Sequence, residues 1–117
     1  MMSKANVTMT VRKPNEKASV IDINGEITGF AENTLMDAYT DASSGDSRAI
    51  ILNFSGLDYM NSSGIGLLVT LLIRVQRQKQ QLFAYGLNEH YQQIFELTRL
   101  NEAINIYEDE SEALAAV

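Results

Sequence analysis

Alternating hydrophobic and polar residues predict two strands at the start of the chain. Val7, Met9 and Val11 alternate with polar residues, the period-2 pattern of a strand with one solvated face over about 6–12. The only proline lies in the turn cluster that follows, and Ala18–Ile23 is rich in branched residues, which predicts a second strand. We expect these two strands to form an antiparallel hairpin.

After the hairpin, the pattern predicts alternating strands and helices. The continuous apolar run over 48–54 predicts a central strand covered on both faces. From Ile65, apolar residues follow the spacing i, i+3, i+4, i+7, i+8, which predicts a long helix over 63–79. This spacing predicts a buried helix face formed by Ile65, Leu68, Val69, Leu72 and Ile73.

The remaining predicted elements are shorter. They are a helix over 30–42, a strand over 82–85, a helix capped by Asn88 that carries Tyr91, Ile94, Phe95 and Leu97, a strand over 104–107, and a last helix opened by Ser111 with Glu112 in its first turn. The order ββαβαβαβα predicts an α/β fold with a mixed β-sheet, an opening antiparallel hairpin and helices packed on the sheet. Its length of 117 residues predicts one domain over 1–117.

Composition excludes several classes of function. The net charge is -6, and residues 102–117 carry five acidic residues and no basic one, so we expect no nucleic-acid binding. The longest apolar stretch, Gly64–Ile73, is too short to cross a bilayer, and no apolar signal segment precedes it, so we expect a cytoplasmic protein that does not bind membranes. With no cysteine and only one histidine, His90, we expect no metal and no cofactor.

The connection from the central strand to the long helix, residues 55–66, is the segment richest in candidate chemistry. In a parallel sheet this loop lies at the carboxyl end of the strands, where α/β folds place their sites, and it carries Ser62 and Ser63 at a helix N-terminus. One of these serines, or Asn61, is expected to cap the free N–H groups. A serine hydroxyl here is also a candidate phosphoryl acceptor, because the helix N-terminus tolerates a dianion.

Enzyme signatures are missing from this segment. Gly64 and Gly66 do not form a dinucleotide fingerprint, since Val69 stands where the third glycine belongs. Ser62, His90 and Asp58 lack the nucleophile elbow of a hydrolase. We therefore predict a protein that is not an enzyme.

The stretch ILNFSGLDYMNSSGIGLLV resembles the signature of the STAS domain in bacterial anti-sigma-factor antagonists. More loosely, Asn24-Gly25-Glu26-Ile27 resembles the family's G-E-[LI]-D turn, and residues 92–100 resemble its third-helix pattern. Asn61 stands where that family has an aspartate, and Thr28 stands where the aspartate of the turn belongs. The resemblance extends over the whole chain and implies the STAS fold.

The resemblance also implies a phosphorylation switch. It implies that the unphosphorylated chain binds an anti-sigma factor that is also a GHKL-type serine kinase, that this kinase phosphorylates Ser62 (Ser63 being the less favoured acceptor), and that a PP2C-type phosphatase reverses the reaction. The alternative is a STAS subunit of a transport or lipid-trafficking assembly, or a small-ligand sensor. The sequence does not predict the oligomeric state.

A helical-wheel projection with Ile65 as the buried reference places an exposed stripe of Leu67, Thr70, Leu71 and Arg74 on the long helix. We expect a partner to dock on this stripe beside Ser62. The predicted partner-binding residues are Thr28, Asn61, Ser62, Ser63, Gly64, Leu67, Thr70, Leu71 and Arg74.

Overall fold

The computed structural model describes residues 6–117. The strands are β1 (Val7–Arg12), β2 (Ala18–Ile27), β3 (Ala49–Met60), β4 (Gln81–Tyr85) and β5 (Asn105–Tyr107), and the helices are α1 (Glu32–Ala42), α2 (Ser62–Arg77), α3 (Glu89–Leu97) and α4 (Glu110–Ala115). Two 3-10 turns, Gly29–Ala31 and Leu100–Glu102, precede α1 and β5. The predicted order of elements is therefore confirmed.

The five strands form one mixed sheet in the order β1-β2-β3-β4-β5. β1 pairs with β2 antiparallel, and each of the other pairs is parallel. The antiparallel hairpin and the central position of the 48–54 strand are both confirmed. Parallel strands need crossover helices, and α1, α2 and α3 supply them.

The helices cover the two faces of the sheet unequally. α1, α2 and α3 pack on one face, where Ile21, Ile50 and Leu52 lie in the larger core. α4 packs on the other face through Ala113, against a smaller core that contains Ile51 and Phe83. Alternate residues of β3 are thus buried on both faces, as its apolar run predicts.

Two segments differ from the sequence predictions at the carboxyl end of the sheet. β3 continues to Met60, so Asn61 alone separates it from α2. β2 continues to Ile27 and pairs with the extension of β3 through two irregularities in register. The predicted loop over 55–66 is therefore wrong, because tertiary pairing overrides the turn-forming residues in this segment.

The starts of two helices also differ from the predictions. Phe30 lies in a 3-10 turn, and α1 begins at Glu32. α4 is capped by Asp109, whose side chain accepts a hydrogen bond from the Glu112 backbone N–H at 2.9 Å. Ser111 is therefore not the capping residue, because the aspartate two positions earlier has the extended backbone that a cap requires.

A polar network ties α4 to the strands beneath it. The Arg12 guanidinium donates to Asp22 of β2 and to Glu110 of α4, with shortest distances of 2.5 and 2.6 Å. Tyr85 donates its hydroxyl proton to Glu110 at 2.7 Å. Arg12 lowers the pKa of both carboxyl groups, whereas burial and the Glu110 charge raise the pKa of Tyr85 to about 12.

Candidate functional site

The site is built where β3 meets α2. Asn61 has an extended backbone, and its Oδ1 accepts a hydrogen bond from the Gly64 N–H at 2.9 Å, so Asn61 is the N-cap of α2. Among the three candidate caps, this leaves the hydroxyls of Ser62 and Ser63 uninvolved in capping. Both serines are exposed in the first turn of the helix.

Close backbone packing holds this turn in place. Gly64 lies against the end of β2, where a Cβ would come within 2.1 Å of the Ile27 carbonyl oxygen. The Asn61 N–H donates to the same oxygen at 3.3 Å, and the Met60 N–H donates to the Tyr91 hydroxyl oxygen at 2.9 Å. Ser62 is therefore presented on a rigid support formed by β2, β3 and α3.

The buried face of α2 is not the one that the apolar spacing predicts. Gly64, Leu68 and Val75 are buried, and with them Leu67 and Leu71, which are only 8% and 0% exposed. The predicted exposure of Leu67 and Leu71 is wrong. These two residues belong to the core and offer no surface to a partner, and Gly64 is likewise covered.

The error has a physical cause. Apolar residues surround more than half of α2, so two faces fit a helical repeat, one beginning at Gly64 and the other at Ile65. The close approach of Gly64 to β2 selects the first face. Of the predicted buried set, Leu68 is fully buried, Ile65 and Leu72 are half-buried, and Val69 and Ile73 are exposed.

An apolar stripe on α2 therefore faces solvent in line with Ser62. With Gly64 as the zero of the helical wheel and 100° per residue, Ser62, Val69 and Ile73 fall at about 160°, 140° and 180°. Val69 is 39% exposed and Ile73 is 45% exposed, and exposed Gly66 falls at about 200° in the same projection. We call Ser62, Gly66, Val69 and Ile73 the α2 stripe.

Gly66 is an unusual residue for the middle of this stripe. A Cβ at Gly66 would meet no atom within 4 Å, so neither packing nor backbone strain within the described chain requires a glycine there. A glycine in an exposed helix costs about 1 kcal/mol relative to alanine. A surface that must be approached closely by another molecule is a reason to retain it.

The predicted residues beside the stripe remain at the surface. Ser63 lies against Gly29, where a Cβ would be 3.5 Å from the Ser63 Cβ, and Phe30 next to this contact is 62% exposed. Thr70 and Arg74 are exposed on the flank of α2, and Arg74 forms no ion pair with a described residue. Of the predicted set, the structure thus groups Thr28, Asn61, Ser62, Ser63, Thr70 and Arg74 at one end and flank of α2.

The two departures from the family pattern keep a structural role. Asn61 caps α2 with a neutral amide oxygen, and Thr28 accepts a hydrogen bond from the Phe30 N–H at 3.3 Å and so caps the 3-10 turn. Both side chains supply a neutral oxygen acceptor at a position where the resemblance implies an aspartate. Each side chain satisfies a backbone N–H without adding negative charge near Ser62.

Four exposed residues of the surface escape the sequence prediction, namely Phe30, Gly66, Val69 and Ile73. The sequence feature that could have indicated the exposed face of α2 is its pair of glycines, Gly64 and Gly66. A glycine three residues after the cap and a second glycine two residues later suggest that one contacts the sheet and the other lies opposite it, since two residues on a helix are about 200° apart.

Other kinds of site receive no support from the geometry. Within residues 6–117, no three histidine, cysteine, aspartate or glutamate side chains are grouped so that they could hold a metal ion. His90 is exposed and makes an edge contact with Tyr91 at a centroid distance of 4.9 Å. In the same range, no helix has the length and apolar character needed to span a membrane.

The chain resembles known proteins in sequence and in fold. The family model of the STAS domain matches residues 8–113. An anti-sigma-B factor antagonist from Staphylococcus aureus is 25% identical over 93 residues, which cover 80% of this chain and 86% of that protein.

Solved structures share the fold at lower identity. An anti-sigma factor antagonist from Mycobacterium paratuberculosis has a TM-score of 0.80 and 20% identity, and the match covers 99% of this chain and 98% of the other. The phosphorylated form of the Bacillus cell fate determinant SpoIIAA has a TM-score of 0.71 and 21% identity, covering 93% and 98%. The STAS domain of a SulP transporter from Vibrio cholerae has a TM-score of 0.72 and 19% identity, covering 90% and 83%.

Proposed function

Since the chain belongs to the STAS domain family, we propose that it is an anti-sigma factor antagonist that acts by switching partners. In its unphosphorylated form it binds an anti-sigma factor that is also a GHKL-type serine kinase, and this sequesters the anti-sigma factor. Phosphorylation of Ser62 releases the complex, and a PP2C-type phosphatase restores binding. The chain itself catalyses no reaction in this scheme.

The single observation that carries the proposal is the alignment of Ser62 with exposed apolar residues on one rigid helix. The α2 stripe offers Val69 and Ile73 for desolvated contact and Gly66 for close approach. A contiguous group of exposed apolar residues with a polar rim is typical of protein-binding surfaces. Arg74 and Arg77 add positive charge at the far end of this surface.

Ser62 is suited to be the acceptor. It is exposed, its backbone N–H belongs to the free first turn of α2, and its hydroxyl forms no hydrogen bond within the described chain. Phosphoryl transfer depends mainly on positioning and on groups that the kinase supplies, so the acceptor needs little beyond access. Ser63 contacts Gly29 and falls about 100° away from Ser62 around the helix, so it lies off the stripe.

The phosphate would act through its charge. It adds about -1.5 to -2 charges at the end of the stripe, where the free N–H groups of α2 can accept it without unfolding the chain. A partner packed over Val69 and Ile73 would have to desolvate this dianion, which costs several kcal/mol when no cation compensates it. We therefore expect phosphorylation to weaken the complex by at least about a hundredfold, because each 1.4 kcal/mol changes affinity tenfold.

Val69→Asp tests the docking surface. We expect this variant to fold normally, since Val69 is exposed, and to lose at least about tenfold in affinity for the GHKL-type kinase encoded in the same genome, as measured by calorimetry. Leu97→Asp is the matched control, because Leu97 is 85% exposed on α3 and away from the stripe. Equal affinity of the two variants would exclude the α2 stripe from the interface.

A further inference from the structure

The outer edge of β1 is unpaired among the described residues, and its first five residues lack the usual protection against pairing. β1 is an edge strand of six residues, VTMTVR, and no described residue pairs with its outer side. Edge strands are commonly protected by charged side chains, proline or a bulge, and Val7–Val11 contains none of these. The one charged residue of β1, Arg12 at its end, is bound by Asp22 and Glu110. The opposite edge, β5, is protected by its length of three residues.

The backbone groups that point outward from β1 can be identified. The Glu26 N–H donates to the Asn6 carbonyl oxygen at 2.9 Å, so residue 6 belongs to a hydrogen-bonded pair with β2. Antiparallel strands alternate between hydrogen-bonded and non-hydrogen-bonded pairs, so Thr8 and Thr10 also bond inward. The N–H and C=O groups of Val7, Met9 and Val11 therefore point away from the sheet.

A groove with acidic walls runs beside this edge. Met9 and Val11 form its floor together with Ala38 of α1, and Thr34, Asp37 and Asp41 complete its lining. The three aliphatic side chains make the floor apolar. The two carboxylates form no ion pair with a described residue.

We propose that the β1 edge binds an extended segment of a partner protein by β-strand addition, and that this segment carries a lysine or arginine on its groove side. Backbone bonds to Val7, Met9 and Val11 would add the strand, apolar side chains would cover the groove floor, and the cation would reach Asp37 and Asp41. This surface lies on β1 and α1 and is distinct from the α2 stripe.

Charge favours a basic segment over a second copy of this chain. Pairing two β1 strands around Met9 would match valine with valine, but it would also bring the Asp37 and Asp41 carboxylates of both copies to one seam. Each copy has a net charge of -6, and like charges across an interface oppose association. A cationic strand meets these same carboxylates favourably.

Amide hydrogen exchange on the full chain tests whether the outward-pointing N–H groups of β1 are unpaired. We expect fast exchange at Val7, Met9 and Val11 and slow exchange at Thr8 and Thr10, because only the latter bond to β2. Slow exchange at all five amides of the isolated monomer would mean that the edge is already occupied and would overturn the proposal.

A peptide titration followed by NMR tests whether a basic extended segment binds the β1 edge. The probe is acetyl-Thr-Val-Thr-Lys-Thr-Val-Thr-amide, and the control peptide has glutamate in place of lysine. We expect the lysine peptide to shift and protect the Val7, Met9 and Val11 amides, and to bind at least about tenfold more tightly than the glutamate peptide. The double variant Asp37→Asn and Asp41→Asn should abolish this preference while keeping the fold, because both side chains are exposed.

Three further results would overturn the proposal. The first is the absence of any chemical-shift change at the β1 amides with the lysine peptide at about 1 mM, a concentration at which even weak binding by a short peptide should be detected. The second is equal affinity for the two peptides. The third is a concentration-dependent dimer that protects the β1 edge without peptide, which would identify a second copy as the occupant.

Discussion

Leu71→Ala and Ile73→Ala form a matched pair that tests which face of α2 is buried. Leu71 is fully buried in the larger core, whereas Ile73 is 45% exposed on the α2 stripe. Burying a leucine side chain contributes about 1.5–3 kcal/mol, and truncating it also leaves a cavity, so Leu71→Ala should lower the free energy of unfolding by about 2–5 kcal/mol. Ile73→Ala removes atoms of which nearly half are already solvated, and it should cost about 1 kcal/mol or less.

Urea unfolding followed by circular dichroism measures both costs on the same scale. The slope m should be unchanged, so the difference should be seen in the midpoint of unfolding. A larger loss of stability in Ile73→Ala than in Leu71→Ala would restore the face predicted from the apolar spacing. The α2 stripe would then lie in the core, and the proposed docking surface would fail with it.

Further predictions concern the glycines of α2 and the polar network at α4. Gly66→Ala should raise the free energy of unfolding by about 1 kcal/mol, because alanine has the higher helix propensity and its Cβ would meet open space. Gly64→Ala should lower the free energy of unfolding, since the added Cβ would lie 2.1 Å from the Ile27 carbonyl oxygen of β2. A shift of the thermal unfolding temperature in the same direction for both variants would contradict this prediction. Arg12 lowers the pKa of Asp22 and Glu110 in the folded state, so their contribution to stability is complete above the ordinary carboxyl pKa of about 4 and is lost as the pH falls through the lowered values. Arg12→Gln should therefore flatten the fall in stability on acidification, and an unchanged pH slope in urea titrations would show that the network is not responsible.

The sequence predicts the order and type of the elements well, because period-2 and period-3.6 patterns report which residues face the sheet. It fails where a long-range contact decides between two local solutions. Residues 55–60 contain turn-forming residues, yet they form a strand because β2 pairs alongside them. Only the pairing partner, which lies about thirty residues away, supplies the hydrogen bonds that favour the extended form.

In the candidate site, too, the sequence predicts what local signals determine and fails where a long-range contact decides. The position of Ser62 near the start of α2 follows from local signals, since a cluster of capping residues and a helical repeat lie in one segment. The structure identifies Asn61 as the cap among the three candidates. The buried face of α2 cannot be predicted from local signals, because leucines occupy both possible faces. Contact between Gly64 and Ile27 decides the orientation, and it requires knowledge of where β2 ends.

Mass spectrometry of the phosphorylated chain, combined with a binding measurement, tests the central claim most directly. The chain and a Ser62→Ala variant are incubated with ATP, magnesium and the GHKL-type kinase of the same genome, and affinity for that kinase is measured before and after. We expect one phosphate on Ser62, an affinity at least about a hundredfold lower after modification, and unchanged tight binding by Ser62→Ala. Phosphate on Ser63 alone, no phosphate on either serine, or full affinity of the phosphorylated chain would contradict the account.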